Sequence, residues 1–244
     1  MNLPGVYDIF LKNWSEYQTC WVISDTHFGD ADIQKAFPNR PSDEELVKII
    51  NSKVGRKDVL IHLGDVGDLE FAKQLRGHKV LIMGNHDAGA TNYKRKIERL
   101  YFDKTYYDRD RALQEAKAKY PGCRYSIYEK VQFVSPFESW VIECDNMLFD
   151  EVYEGPLMLG EKLLLSHEDI NVPWAFCLHG HDHTGRQRAG ALNVCLDGNG
   201  YAVMNRNSAL KSGLMAKVET LHRDTINTAT QRRKKRGGKK IGEK

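Results

Sequence analysis

At 244 residues the chain is long enough for one sizeable domain and too short for several. It is 41% hydrophobic and 28% charged, as globular proteins are, and no apolar run approaches the roughly 20 residues that span a bilayer, so no membrane-crossing helix is expected. The net charge of +3 resides in the last fourteen residues, Gln231 to Lys244, which hold eight Lys/Arg and one Glu; the rest carries 28 basic and 32 acidic residues, so basicity belongs to a tail.

The N-terminus, Met1-Asn2-Leu3-Pro4-Gly5, has no basic stretch followed by an apolar one, so no signal peptide and a cytoplasmic location are expected. Five cysteines, without a C-x-x-C pair, argue against a disulfide framework. Cys20, Cys177 and Cys195 sit in apolar runs and read as small core residues.

The first predicted strand is Thr19–Ser24, followed at once by Asp25-Thr26-His27. Pro41 to Gly55 predicts a helix, with Ser42 and Glu45 in capping-box positions and Leu46, Ile49, Ile50 and Val54 at helical spacing. The second strand, Asp58–Leu63, runs into Gly64-Asp65; His62 inside it reads as a core or supporting histidine. A short helix is expected over Asp68–Arg76, with Asp68 a candidate N-cap. The third strand, Lys79–Met83, runs into Gly84-Asn85-His86-Asp87.

Residues 93–146, rich in Tyr and charge, read as an insertion with a polar helix at Asp110–Tyr120 and strands near Tyr125–Glu129 and Ser139–Glu143. Its aromatics, Tyr101 through Phe133, Phe137 and Trp140, would form a lid that stacks on a base or the core of an added subdomain. Lys162–Ser166 precedes His167, Ala175–His179 precedes Gly180-His181-Asp182-His183, and Leu192–Leu196 is the last strand. Arg186 and Arg188 are candidates to hold a substrate phosphate. The domain is expected to span 1–222, and 223–244 to be a disordered basic tail that attracts nucleic acid.

Continuous rather than alternating apolar character predicts sheets covered on both faces, and alternation with helices an α/β class. In such sheets ligands collect at the carboxyl ends of strands, where these polar clusters stand. Asp, neutral His and an amide oxygen suit Mn, Fe or Zn. Asp-x-His puts two side chains on one side of an extended chain, and a lone Asp after Gly can bridge two ions.

Taken in order, D-x-H, G-D, G-N-H-D, H and G-H-x-H resemble the calcineurin-like metallophosphoesterase superfamily over about residues 19–205, and the local wording is similar to its small single-domain bacterial and phage members. The resemblance implies an α/β/β/α sandwich of two packed mixed β-sheets flanked by helices. Asp25, His27 and His183 would hold one divalent ion and Asn85, His167 and His181 a second, with Asp65 shared. Manganese is the expected metal, with Fe, Zn, Ni and Co as alternatives. His86 would face the substrate, and Asp87 would orient its imidazole. The implied reaction is hydrolysis of a phosphodiester or phosphomonoester, nucleotide-like by slight preference, through attack of a metal-bridging hydroxide. The alternatives are a nuclease acting on single strands or ends and a metal-binding interaction module without hydrolysis.

Removing residues 231–244 is expected to lower affinity for DNA and RNA oligonucleotides at low salt; unchanged binding in a filter or anisotropy assay would contradict the role given to the tail.

Overall fold

The structure is a computed structural model and describes residues 19–131, 138–159, 163–171 and 175–206. The basic tail at 223–244, Lys162, Phe133 and Phe137 lie outside the described residues. In chain order the elements are β1 (Cys20–Ile23), α1 (Ala31–Ala36), α2 (Asp43–Lys53), β2 (Val59–His62), α3 (Leu69–Ala72), β3 (His78–Ile82), α4 (Ala90–Tyr93), β4 (Ile97–Asp103), α5 (Arg109–Lys119), β5 (Arg124–Val131) and β6 (Glu138–Asp145). Then follow β7 (Glu151–Tyr153), β8 (Leu157–Leu159), β9 (Leu163–Leu165), β10 (Phe176–His179), β11 (Ala191–Asn193), a 3₁₀ turn at Asp197–Asn199 and β12 (Met204–Asn205).

The apolar runs assemble two mixed sheets. One has the order β12-β1-β2-β3-β7, all parallel except β12; the other is β11-β10-β9-β8, parallel except β8. Side chains alternate faces along a strand, so each run serves two cores. Val22, Ile61, Val80 and Ile82 meet Leu163, Leu165, Phe176 and Leu178 between the sheets. Their neighbours Ile23 and Leu60 face the other way, onto Leu46, Val47 and Ile50 of α2 and Val54 just past its end. A fully buried Leu or Ile contributes about 1.5–3 kcal/mol, so this double coverage is the main apolar term. It also explains why the runs are continuously apolar: β2 and β10 are buried at every position. The result is the mixed α/β architecture of packed sheets that the sequence predicted. Among the described residues the helices cover the first sheet and a smaller third one. The outer face of the second sheet, at Leu164 and Cys177, meets Met158 and Ile170. None of the described helices is long and apolar enough to cross a membrane.

Local chemistry sets the element ends. Ser42 and Glu45 form the expected capping box: the Glu45 amide donates to Ser42 Oγ at 3.3 Å, and the Ser42 amide donates to Glu45 Oε2 at 3.1 Å. Asp68 caps α3, but that helix ends at Ala72, not Arg76. The amides of Gln74 and Leu75 bond back only three residues, to Phe71 and Ala72, and Gly77 (φ 94°) then turns the chain into β3. The last predicted strand is split. Asn193 ends β11, the Val194 amide still donates to His179 O at 2.7 Å, and Cys195 bridges to Ser24 beside β1. The chain crosses from one sheet to the other there.

Residues 97–145 carry a third, antiparallel sheet, β4-β6-β5, backed by α5 through Ala112 and Ala116 against Ile142 and Cys144. Phe102, Tyr107, Tyr120, Tyr125 and Trp140 pack into this small core, whereas Tyr101, Tyr106 and Tyr128 are exposed. Arg95 joins this layer to the central sheet: its guanidinium grips Asp145 at 2.9 and 2.7 Å and Asp150 at 2.6 Å. Cys20, Cys144, Cys177 and Cys195 are buried free thiols; burial pushes Cys20 up to about 12.

His62 is fully buried in β2 and neutral. Its Nδ1 accepts from the Gly64 amide at 3.2 Å, so Nε2 carries the proton and donates to Thr26 Oγ1 at 2.9 Å; that hydroxyl donates to Val66 O at 2.8 Å. Burial pulls its pKa down to about 3 from 6.5. The unfolded chain therefore takes up a proton first as pH falls, and stability is lost from about pH 6.5 towards pH 3. The unfolding temperature of metal-free protein should fall less steeply over that window in His62→Gln than in wild type; parallel profiles would show that His62 contributes nothing to the acid response.

Candidate metal centre

Five loops at the carboxyl ends of β1, β2, β3, β9 and β10 bring the sequence-predicted residues together. Backbone hydrogen bonds zip the first two: Asp25 N to Gly64 O, His27 N to Asp65 O and Phe28 N to Val66 O, each 3.0 Å. The last two are tied by Gly180 N to His167 O at 2.8 Å. Asp25, His27, Asp65 and His181 all have φ between 40° and 65°, a region that L-residues with side chains seldom adopt.

The side chains fall into two adjoining groups. Asp25, His27 and His183 form one, their ligand atoms within 4.8 Å of one another; Asp65, His167 and His181 form the other. Asn85 joins the second, with Oδ1 2.9 Å from His167 Nε2 and 3.1 Å from His181 Nδ1. Asp65 lies between the two. Its Oδ2 is 3.4 Å from His27 Nε2 on one side and 3.2 Å from His167 Nε2 on the other.

These atoms are lone-pair carriers facing lone-pair carriers. His167 Nδ1 lies 2.8 Å from the Leu63 carbonyl, so Nδ1 holds the proton and Nε2 of the neutral ring is an acceptor, turned towards two oxygens. His27 Nε2 is buried with no hydrogen-bond partner. Such a cluster is satisfied by positive charge placed among it. Its titration says the same: burial opposes the charged form of both groups, yet Asp65 beside it holds His167 above its ordinary value, and the neighbouring His167 and His27 with the His86 amide hold Asp65 far below its own. The donor set of carboxylates, imidazoles and one amide oxygen fits divalent Mn, Fe or Zn.

Three imidazoles are held from behind. His27 Nδ1 lies 3.3 Å from Asp30, the N-cap of α1; His167 Nδ1 lies on the Leu63 carbonyl; His183 Nδ1 donates to Asp197 Oδ2 at 2.7 Å. Each leaves Nε2 for the centre, while His181 presents Nδ1. Asp197, buried against burial's own cost by His183 and Arg40, is in turn gripped by the Arg40 guanidinium, which also donates to the carbonyls of Asp25, at 3.2 Å, and Thr26. His183, Cys195 and Asp197 make a third group of ligating types, but the short His183–Asp197 bond and the Arg40 pair commit Asp197 to support. Sequence reasoning missed Asp30, Arg40 and Asp197. Asp197 had a usable signal, since it directly follows the apolar run Leu192–Leu196.

Two expectations change. Asp87 does not orient the imidazole of His86. Its carboxylate accepts three amides, from Asp65 at 2.9 Å, Val66 at 3.0 Å and Gly84 at 2.8 Å, and so clamps the second and third loops together. Arg188 is taken up by Asp169 at 2.6 Å and does not line the site. His86 does: it is exposed, its ring centroid is 5.3 Å from that of His27, and its amide donates to Asp65 Oδ1 at 2.9 Å. The cleft, about 500 Å³, is lined by His27, Asp30, Asp32, Ile33, Asp65, His86, His181 and His183. Among the described residues no Lys or Arg lines it.

Residues 19–192 match the family of calcineurin-like phosphoesterases. Comparison with curated proteins finds no match. Among solved structures, a protein of unknown function from Aquifex aeolicus is similar at 19% identity and a TM-score of 0.47, over 80% of this chain and 99% of that one.

Close approach at Gly180 gives a test of this geometry. A Cβ there would sit 2.0 Å from Ser24 Oγ and 2.3 Å from Asp25 Oδ2, whereas one at Gly155 would meet nothing within 4 Å. Gly180→Ala should weaken Mn²⁺ binding by calorimetry by about tenfold or more, the scale of disturbed ligand support, and Gly155→Ala should leave it unchanged. Equal affinities in both variants would contradict the placement of Asp25.

Proposed function

The chain belongs to the calcineurin-like phosphoesterase family, and from that premise we propose that it is a metal-dependent phosphoesterase using two divalent ions, which cleaves a phosphodiester or phosphomonoester in the cleft beside His86. The observation that carries this reading is the place of Asp65 Oδ2, 3.4 Å from one ligand group and 3.2 Å from the other, where one carboxylate can serve both. Asp25, His27 and His183 would hold one ion, and Asn85, His167 and His181 the other. When bound, the ions would polarise the phosphoryl oxygens and lower the pKa of water from about 15.7 towards about 7.

The rest of the work falls to this chain's own residues. The cleft wall carries Asp30, Asp32 and Asp65 and no Lys or Arg among the described residues, so a phosphoester meets repulsion there until positive charge is present. That supports a dependence on metal for substrate binding as well as for turnover. His86 stands on the wall with its ring free of Asp87. It would donate a proton or hydrogen bond to the phosphoryl or leaving oxygen, at a distance set by its own amide's bond to Asp65. Asp87 holds the loop in place, and Ile33 offers an apolar surface for the leaving group. A binding module without hydrolysis needs no such histidine, so His86 on the cleft wall favours the enzyme.

Asp65→Asn should lose about 10²-fold or more of turnover of an aryl phosphodiester or monoester with Mn²⁺ supplied, since it removes the shared charge. His86→Ala should lose about 10²–10⁴-fold in kcat while binding Mn²⁺ as tightly as wild type. Near-normal rates in the first variant would sink the shared-carboxylate reading, and parallel loss of metal in the second would move His86 into the ligand set.

A further inference from the structure

The two ligand groups are supported by different chemistry, and the difference has a consequence for binding. Behind the Asp25–His27–His183 group stand carboxylates: Asp30 on His27 at 3.3 Å and Asp197 on His183 at 2.7 Å. Asp197 has a side chain with no exposure, and Arg40, 2% exposed in its side chain, binds both of its oxygens. The same guanidinium donates through its other nitrogen to the carbonyls of Asp25 and Thr26. One arginine therefore fixes the loop that carries Asp25 and His27 and, through Asp197, the ring of His183. Behind the second group the support is neutral. His167 rests on the Leu63 carbonyl, Asn85 is an uncharged ligand, and its one carboxylate, Asp65, is shared.

A carboxylate on the far nitrogen makes an imidazole more basic at the near one and fixes its ring; loss of such a partner costs about 10–100-fold in metal affinity. Fixing the ligands beforehand also removes ordering cost from the binding step. The second group has one such support, the neutral Leu63 carbonyl on His167, and no carboxylate behind its imidazoles, and Asn85 and His181 are exposed.

We infer that Arg40, Asp197 and Asp30 are positioning residues that make the Asp25–His27–His183 group the tighter cation site, filled first and alone at one equivalent of metal, with the second group filling later and exchanging freely. This rests on the reading that both groups bind divalent ions, and the experiment separates the two. Metal-free full-length protein is titrated with Mn²⁺, followed by calorimetry and by electron paramagnetic resonance. Wild type should show two classes of site, with an isolated-ion signal at one equivalent and a coupled-pair signal at two. Asp197→Asn should weaken the tight class by about 10–100-fold and leave the weak class in place. Asn85→Ala should do the reverse. Asp30→Asn, with its side chain 32% exposed, repeats the test at a position where folding is not at risk and should also weaken only the tight class. Two classes that weaken equally in Asp197→Asn and Asp30→Asn, a tight class lost in Asn85→Ala instead, or a coupled-pair signal already dominant at one equivalent would each overturn the inference. Failure of wild type to bind Mn²⁺ at all would overturn the two-ion reading beneath it.

Discussion

The carboxylate of Asp65 is only 2% exposed as a residue and faces imidazole nitrogens on both sides, and the surrounding loops are built to hold it there. Its amide is held by Asp87 and its Oδ1 by the amide of His86, while Gly84 leaves room where a Cβ would come within 2.2 Å of that oxygen. A buried anion without a partner is expensive, so the arrangement is stable only if positive charge comes to it, as a proton on a neighbouring histidine or as a metal ion. The centre is thus less a set of ligands waiting for an ion than an electrostatic demand written into the fold. No Lys or Arg on the cleft wall meets that demand among the described residues.

The sheets make this possible by geometry. Parallel strands all deliver their carboxyl ends to one edge, and two such sheets packed face to face deliver two sets of loops to the same place. The crossing at Val194–Leu196, where the chain leaves β11 and bridges to Ser24, stitches those edges together. It also sets Asp197 beneath His183, so the support of the centre is a product of the same sheet change.

Much of this was legible in the sequence because burial on both faces writes itself as unbroken apolar runs, and each loop of the candidate centre follows such a run directly. The residues that escaped did so for physical reasons. Arg40 has no local pattern, since its partner Asp197 is 157 positions away. β4 carries Glu98 and Arg99 and is exposed or half-buried throughout, so only the short Leu100-Tyr101-Phe102 run marks the strand. β7, β8 and β12 are two or three residues long and exist only through their neighbours. The resemblance assigned Asp87 to the adjacent histidine; in space its oxygens meet three amides instead.

The left-handed backbone at Asp25, His27, Asp65 and His181 bears on how such a chain evolves. Each conformation costs on the order of 1–3 kcal/mol for a residue with a side chain, and glycine would relieve most of it. A protein whose net stability is on the order of 5–15 kcal/mol therefore carries a sizeable fraction of that margin as tension in four positions. Selection for heat resistance alone would relax those positions first and erase the centre. Asp and His stand at four positions where glycine would be less strained, so stabilising variants are to be sought far from these loops.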